Sequence, residues 1–133
     1  MKKIKTKHII IFIIVLLLFS YFRNVRHLKV KVVTTEEDKK LGLMFRQHLN
    51  MDEGMLFTFK YGDNSVWMKN TYIPLDILFI KEDTIVDIRE NTTPLSLTKI
   101  KSSKPYTIAI EVNAGYCKKN NIKIGDKIQI KKM

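Results

Sequence analysis

The chain has one cysteine, three histidines, three prolines and five glycines in 133 residues. A lone cysteine, Cys117, excludes an intramolecular disulfide, so any folded part rests on its core. There is no C-x-x-C, no H-E-x-x-H and no glycine-rich phosphate loop. No motif sets a histidine beside Cys117, since His8 and His27 lie at the N-terminal end. A Cys–His nucleophile is therefore not encoded, and neither a cofactor nor a bound metal is expected. Acid is scarce as well: none precedes Glu36, and 13 acidic residues face 24 basic ones, a net charge of +11.

Long hydrophobic runs are also lacking, with one partial exception. Lys2, Lys3, Lys5 and Lys7 precede an apolar stretch from Ile9 to Phe19, which continues through Tyr21 and Phe22 and closes on Arg23 and Arg26. The pattern predicts an N-terminal signal anchor over residues 1–27. No A-x-A-like cleavage site follows it, which leaves a cleaved, secreted form as the lesser alternative, and no cysteine follows it as a lipoprotein signal requires. Residues 9–22 would span about 21 Å as a helix, short of the roughly 30 Å hydrocarbon core, with snorkelling lysines and local thinning closing the gap. More bases before the run than after it put the N-terminus in the cytoplasm and the remaining domain outside. Beyond residue 27 lie 18 of the basic residues and all 13 acids, so residues 28–133 carry only +5. That balance requires no nucleic acid, and attraction to a membrane or an anionic envelope polymer is enough to explain it.

Residues 28–133 are long enough for one domain. Leu28–Thr34 alternates apolar and basic residues, as a half-buried strand does. Thr35 followed by Glu36, Glu37 and Asp38 is a helix N-cap signal, predicting a helix to about Met44. Met55–Phe59, Ser65–Lys69, Asp76–Lys81, Thr84–Glu90, Tyr106–Val112 and Lys127–Lys131 read as further strands. A turn at Tyr61–Asn64 would join the first two in a hairpin, Glu82-Asp83 is a second tight turn, and Ala114–Asn120 is a short helix. Residues 92–105 read as a long surface loop. The expected fold is mainly β: a small sandwich or partly closed barrel of six or seven short antiparallel strands with two short helices, plus the N-terminal membrane helix. Strands at regular short spacing argue against βαβ units.

The most informative stretch runs from Gly42 to Asp76. GLMFR at Gly42–Arg46, GMLF at Gly54–Phe57, WMKNT-x-IPLD at Trp67–Asp76 and EVNAG at Glu111–Gly115 occur in that order. They resemble the domain of unknown function 192 family, a resemblance that extends from about Leu28 to Lys132. It implies a mainly β fold and a frequent N-terminal export segment, and it assigns no activity.

Polar residues set against these apolar blocks supply the candidate site: Arg46, Trp67, Lys69, Asn70, Thr71, Asp76 and Glu111. Two readings stand side by side. In one they form a pocket for a small polar ligand or an anionic envelope polymer, and alanine at Asp76 or Arg46 removes function while leaving the melting temperature nearly unchanged. In the other they are structural, with Asp76 accepting backbone N–H bonds in a turn and Arg46 pairing with Glu111. A hydrolase- or lyase-type enzyme using Asp76 or Glu111 as base, with Arg46 or Lys69 stabilising an anion and the carboxylates lining one pocket, is the alternative function, and a structural partner of another envelope protein is a second alternative. Trp67 and Met68, adjacent on an extended chain, face opposite ways, so either Trp67 fills the core or it lines a cleft. Met44, His48, Met51 and Met55 invite a copper reading, which the loop-like residues between them disfavour.

Overall fold

The computed structural model describes residues 2–23, 27–60 and 64–133, with side chains from residue 5 to 18 and from 28 onward outside 61–63. Helix α1 (Lys2–Arg23) precedes the domain. Every side chain from Ile9 to Leu18 is 48% to 65% exposed. These ten residues span about 15 Å, half a hydrocarbon core. Among the described residues no helix is long and apolar enough to cross a membrane. The expected spanning helix is thus not found, and the side chains of Ser20, Tyr21 and Phe22, which would extend it, lie outside the described residues.

The domain is one curled six-stranded sheet, built from β1 (His27–Val33), β2 (Glu53–Thr58), β3 (Leu75–Lys81), β4 (Thr84–Arg89), β5 (Ile108–Asn113) and β6 (Gln129–Lys132) in the order β4-β3-β5-β2-β1-β6. The sheet is mixed, correcting the antiparallel expectation: β1 runs parallel to both β2 and β6, and the remaining pairs are antiparallel. Helix α2 (Glu36–Leu41) makes the β1-to-β2 connection, so a βαβ unit is present after all. A parallel pair needs such a crossover, and the Thr35 cap is what starts it. The Thr35 hydroxyl accepts the Asp38 N–H at 3.1 Å. The helix ends at Leu41, three residues short of the expected end at Met44, and its cap Gly42, at φ +49°, turns the chain.

The curl brings the sheet's two edges towards each other. Thr84 of β4 bridges to Lys127, just before β6, and the Ile85 N–H donates to the Asp126 carbonyl at 2.9 Å. The result is a half-barrel rather than a two-sheet sandwich. One face buries Leu28, Val30, Leu56, Leu78, Ile110 and Val112 beneath α3 (Tyr116–Lys119). The other buries Met55, Phe57, Ile77, Phe79 and Ala109 under Leu43, Leu49, Val66, Met68 and Tyr106 from the connecting segments. Burial on both faces explains the unbroken apolar run in β3.

Ser65–Lys69 is not a strand. Val66 makes a single bridge to Ile100, and the expected hairpin with β2 is replaced by this pairing with the long loop. Residues 61–63 of its expected turn lie outside the described residues. The Glu82-Asp83 hairpin is present, with Glu82 at φ +58°.

Candidate functional site

Sheet alternation sorts the candidate residues before any side chain is considered. Glu111 pairs with Met55 on β2 and with Ile77 on β3, whereas Asp76 pairs with Val112. Adjacent strand residues point to opposite faces, so Asp76 and Glu111 lie on different sides of the sheet. The expectation that the two carboxylates line one pocket is corrected on this ground.

Asp76 is fully buried and closes the fold. One carboxylate oxygen accepts the Asn91 N–H at 2.9 Å and the other accepts the Cys117 N–H at 3.0 Å. One residue earlier, Leu75 and Thr92 exchange three further bonds. The segment that follows β4 and the first turn of α3 are therefore tied to one end of β3. The Cys117 thiol lies in this buried corner, and burial followed by the Asp76 charge pushes it up to about 12. It is a protonated thiol at neutral pH and a poor nucleophile. Asp76, Glu90 and Cys117 bring possible ligand atoms within 4.8 Å of one another, but both Asp76 oxygens already accept backbone N–H bonds.

Glu111 is a different kind of buried acid. Only 7% of it is exposed, and among the described residues its carboxyl has no hydrogen-bond or ion-pair partner. Burial pushes it up to about 8. It opens onto a cavity of about 100 Å³ that Gly42, Met44, Phe57, Trp67 and Thr71 also line. About 150 Å³ holds a benzene-sized guest, so this space takes a group of a few heavy atoms. The other charged residues on the wall are Lys39 and Lys40 of α2, and Lys39 pairs with Glu36 at 2.9 Å.

Local geometry builds the wall. At Gly42 a Cβ would meet the Phe57 ring at 3.4 Å, an ordinary contact, so it is the positive φ of +49° that calls for glycine. Asn70, at φ +53°, accepts the Phe45 N–H at 2.8 Å through its carbonyl and sets its amide 4.0 Å from the Met44 sulfur. It thereby holds the loop after α2 against residues 67–71. Thr71 is buried, its hydroxyl donating to the Lys69 carbonyl at 3.1 Å. Trp67 is half-buried while Met68 is core. The Lys99 ammonium stands 3.6 Å from the Trp67 ring centroid and that of Lys69 5.0 Å, two cation–π contacts.

Glu111, Trp67 and Thr71 thus share one cavity, Asn70 supports it, and Lys69 borders it. Arg46 is exposed on the adjoining loop and makes no ion pair with Glu111 among the described residues. Gly42, Met44 and Lys99 are additions to the expected set. The copper grouping does not form: His48 bonds to Asn50, Met55 is core and Met51 is exposed.

Fold and site together define a small half-barrel domain with an acid-floored cavity. The chain belongs to the DUF192 family, described as an uncharacterized ACR, whose family model matches residues 21–130. A putative transcription regulator from Sinorhizobium meliloti 1021 is 41% identical, with a TM-score of 0.71 over 74% of this chain and 78% of its own. A protein of unknown function from Novosphingobium aromaticivorans DSM 12444 is 35% identical, with a TM-score of 0.70 over 74% of this chain and 71% of its own. No curated protein matches the chain.

Proposed function

We propose that this protein is a binding module that seats a polar, oxygen-bearing group of a small ligand in the Glu111 cavity. The observation that carries this is a buried carboxyl that has no protein partner among the described residues and faces open space. Buried polar groups are normally paired, and one left open onto a cavity suits a ligand. Held neutral at pH 7, Glu111 has an O–H to donate, so the fitting ligand group is an acceptor: a carbonyl, hydroxyl or phosphate oxygen. Lysines at the rim favour neutral or anionic ligands over cations.

Trp67 is the sole tryptophan and lines the cavity, so its emission reports occupancy. Titration with N-acetylated amino sugars and glycerol phosphate oligomers should produce a saturable change with at least one of them. The Glu111→Leu variant, matched in bulk and still folded, should lose it. Equal responses in both proteins, or none from any probe, would reject the cavity as the site.

We further propose that α1 attaches the domain to a membrane, with the domain outside the cytoplasm. The support is a helix apolar and exposed on every side from Ile9 to Leu18 and preceded by lysines. A C-terminal epitope tag should then sediment with membranes and be cut by protease added to spheroplasts. A soluble, protected tag would contradict this. Nucleic acid stays outside the proposal: α2 and α3 span six and four residues, too short to lie along a major groove as a recognition helix.

A further inference from the structure

Three segments stitched side by side form a face distinct from the cavity wall. Phe45 donates its N–H to the Asn70 carbonyl, Leu95 donates to the Thr71 carbonyl at 3.1 Å, and Met68 donates to the Ser96 carbonyl at 3.2 Å. Phe45 and Tyr72 make an edge-on pair with ring centroids 6.4 Å apart. Phe45, Tyr72, Leu95 and Leu97 are nonetheless 43% to 67% exposed. Phe45 and Leu95 both sit at left-handed φ, +63° and +64°. Bulky residues rarely adopt that conformation, and here it coincides with two apolar side chains turned to solvent.

The charge on these segments has one sign. Residues 42–51, 64–75 and 91–100 contain Arg46, Lys69 and Lys99 and no acidic residue, in a chain with 13 acids. Exposed aromatic and aliphatic groups on segments whose only charged residues are cations match an anionic lipid surface: the rings enter the headgroup region while the cations meet phosphates. The tether brings such a surface close. Only residues 24–26 separate α1 from β1, a reach of about 14 Å. With α1 in a membrane, some face of the domain must front the headgroups.

We propose that the Phe45–Tyr72–Leu95 face docks on an anionic bilayer. This rests on the membrane attachment proposed for α1 and is independent of the Glu111 cavity. Trp67, two residues before Lys69 and beneath Lys99, lies next to this face and reports on it.

The test reconstitutes the full chain in phosphatidylcholine vesicles with and without phosphatidylglycerol, each containing headgroup-nitroxide lipid, and reads Trp67 quenching. Co-flotation with both vesicle types reports α1 separately, so failure of attachment and failure of docking are distinguishable. Quenching should be roughly twofold greater with the anionic lipid and should fall towards the neutral-lipid level at high salt. Arg46→Glu with Lys69→Glu should abolish the difference, and so should Phe45→Ser with Tyr72→Ser; all four side chains are at the surface, and an unchanged melting temperature verifies folding. Equal quenching in both lipids, or quenching that persists in either double variant, overturns the proposal. So does displacement by soluble polyglycerol phosphate with no dependence on the bilayer, which would make the partner a polymer.

Discussion

Asp76→Ala should destabilise the domain by roughly 2–6 kcal/mol, because two backbone N–H donors lose their acceptors and each buried, unsatisfied donor costs about 1–3 kcal/mol. The variant loses both acceptors of the Asn91 and Cys117 N–H groups, and the Cys117 N–H is buried. A domain of about 100 residues has a stability of the same order, and each kcal/mol moves its melting temperature by roughly 4–8 °C. Much of the population should therefore be unfolded near 37 °C. Asp76→Asn should recover only part of the loss, because its amide nitrogen would confront one of the two N–H donors. Thermal unfolding followed by circular dichroism checks this. A melting temperature within a few degrees of wild type would return Asp76 to the list of functional residues. Arg46→Ala, which removes an exposed side chain that has no ion pair among the described residues, is the natural control and should leave the midpoint unchanged.

The second large effect is a pH dependence set by Glu111. Its folded-state value of about 8 lies above the ordinary 4.5. Below about pH 4.5 the acid is protonated in both folded and unfolded chains, and folding is not penalised. As pH rises from there towards 8, the unfolded chain ionises while the folded one holds its proton, so stability falls. Above 8 both are ionised and the loss is complete, at about 5 kcal/mol. Glu36, Asp52, Asp83 and Asp87 have lowered values, so their contributions change below the window in which Glu111 acts. Urea unfolding at pH 5 and at pH 8.5 should show this decline in wild type and not in Glu111→Gln. Parallel behaviour of the two proteins would mean that the carboxyl is solvated or paired.

The two acids also show what a sequence can and cannot disclose. Asp76 and Glu111 each stand beside an apolar strand and look equivalent there. Their difference is a matter of register: Asp76 lies opposite Val112 and Glu111 opposite Ile77, and a one-residue offset sends them to opposite faces. Local signals were readable. The Thr35 cap, the alternation in β1 and the Glu82-Asp83 turn depend on neighbours within a few residues. The parallel pairing of β1 with β2 and β6 depends on partners far along the chain, and strand spacing does not encode it. Ser65–Lys69 has a strand's composition but finds only Ile100 to pair with. The site was half legible. Trp67, Thr71 and Glu111 stood out as polar or aromatic residues breaking apolar blocks. Met44 looked like packing, and Lys99 was one lysine in a polar loop until the fold laid it over Trp67.

Glu111 is a buried acid without a partner among the described residues, held neutral at pH 7 by burial and open onto a cavity. The most direct measurement is a carbon-detected NMR titration of the Glu111 side-chain carboxyl in the full chain. A midpoint near pH 8, moving when a ligand that alters Trp67 emission is added, is the predicted result. A midpoint near 4.5 would contradict it, because a carboxyl with that value is solvated or already satisfied.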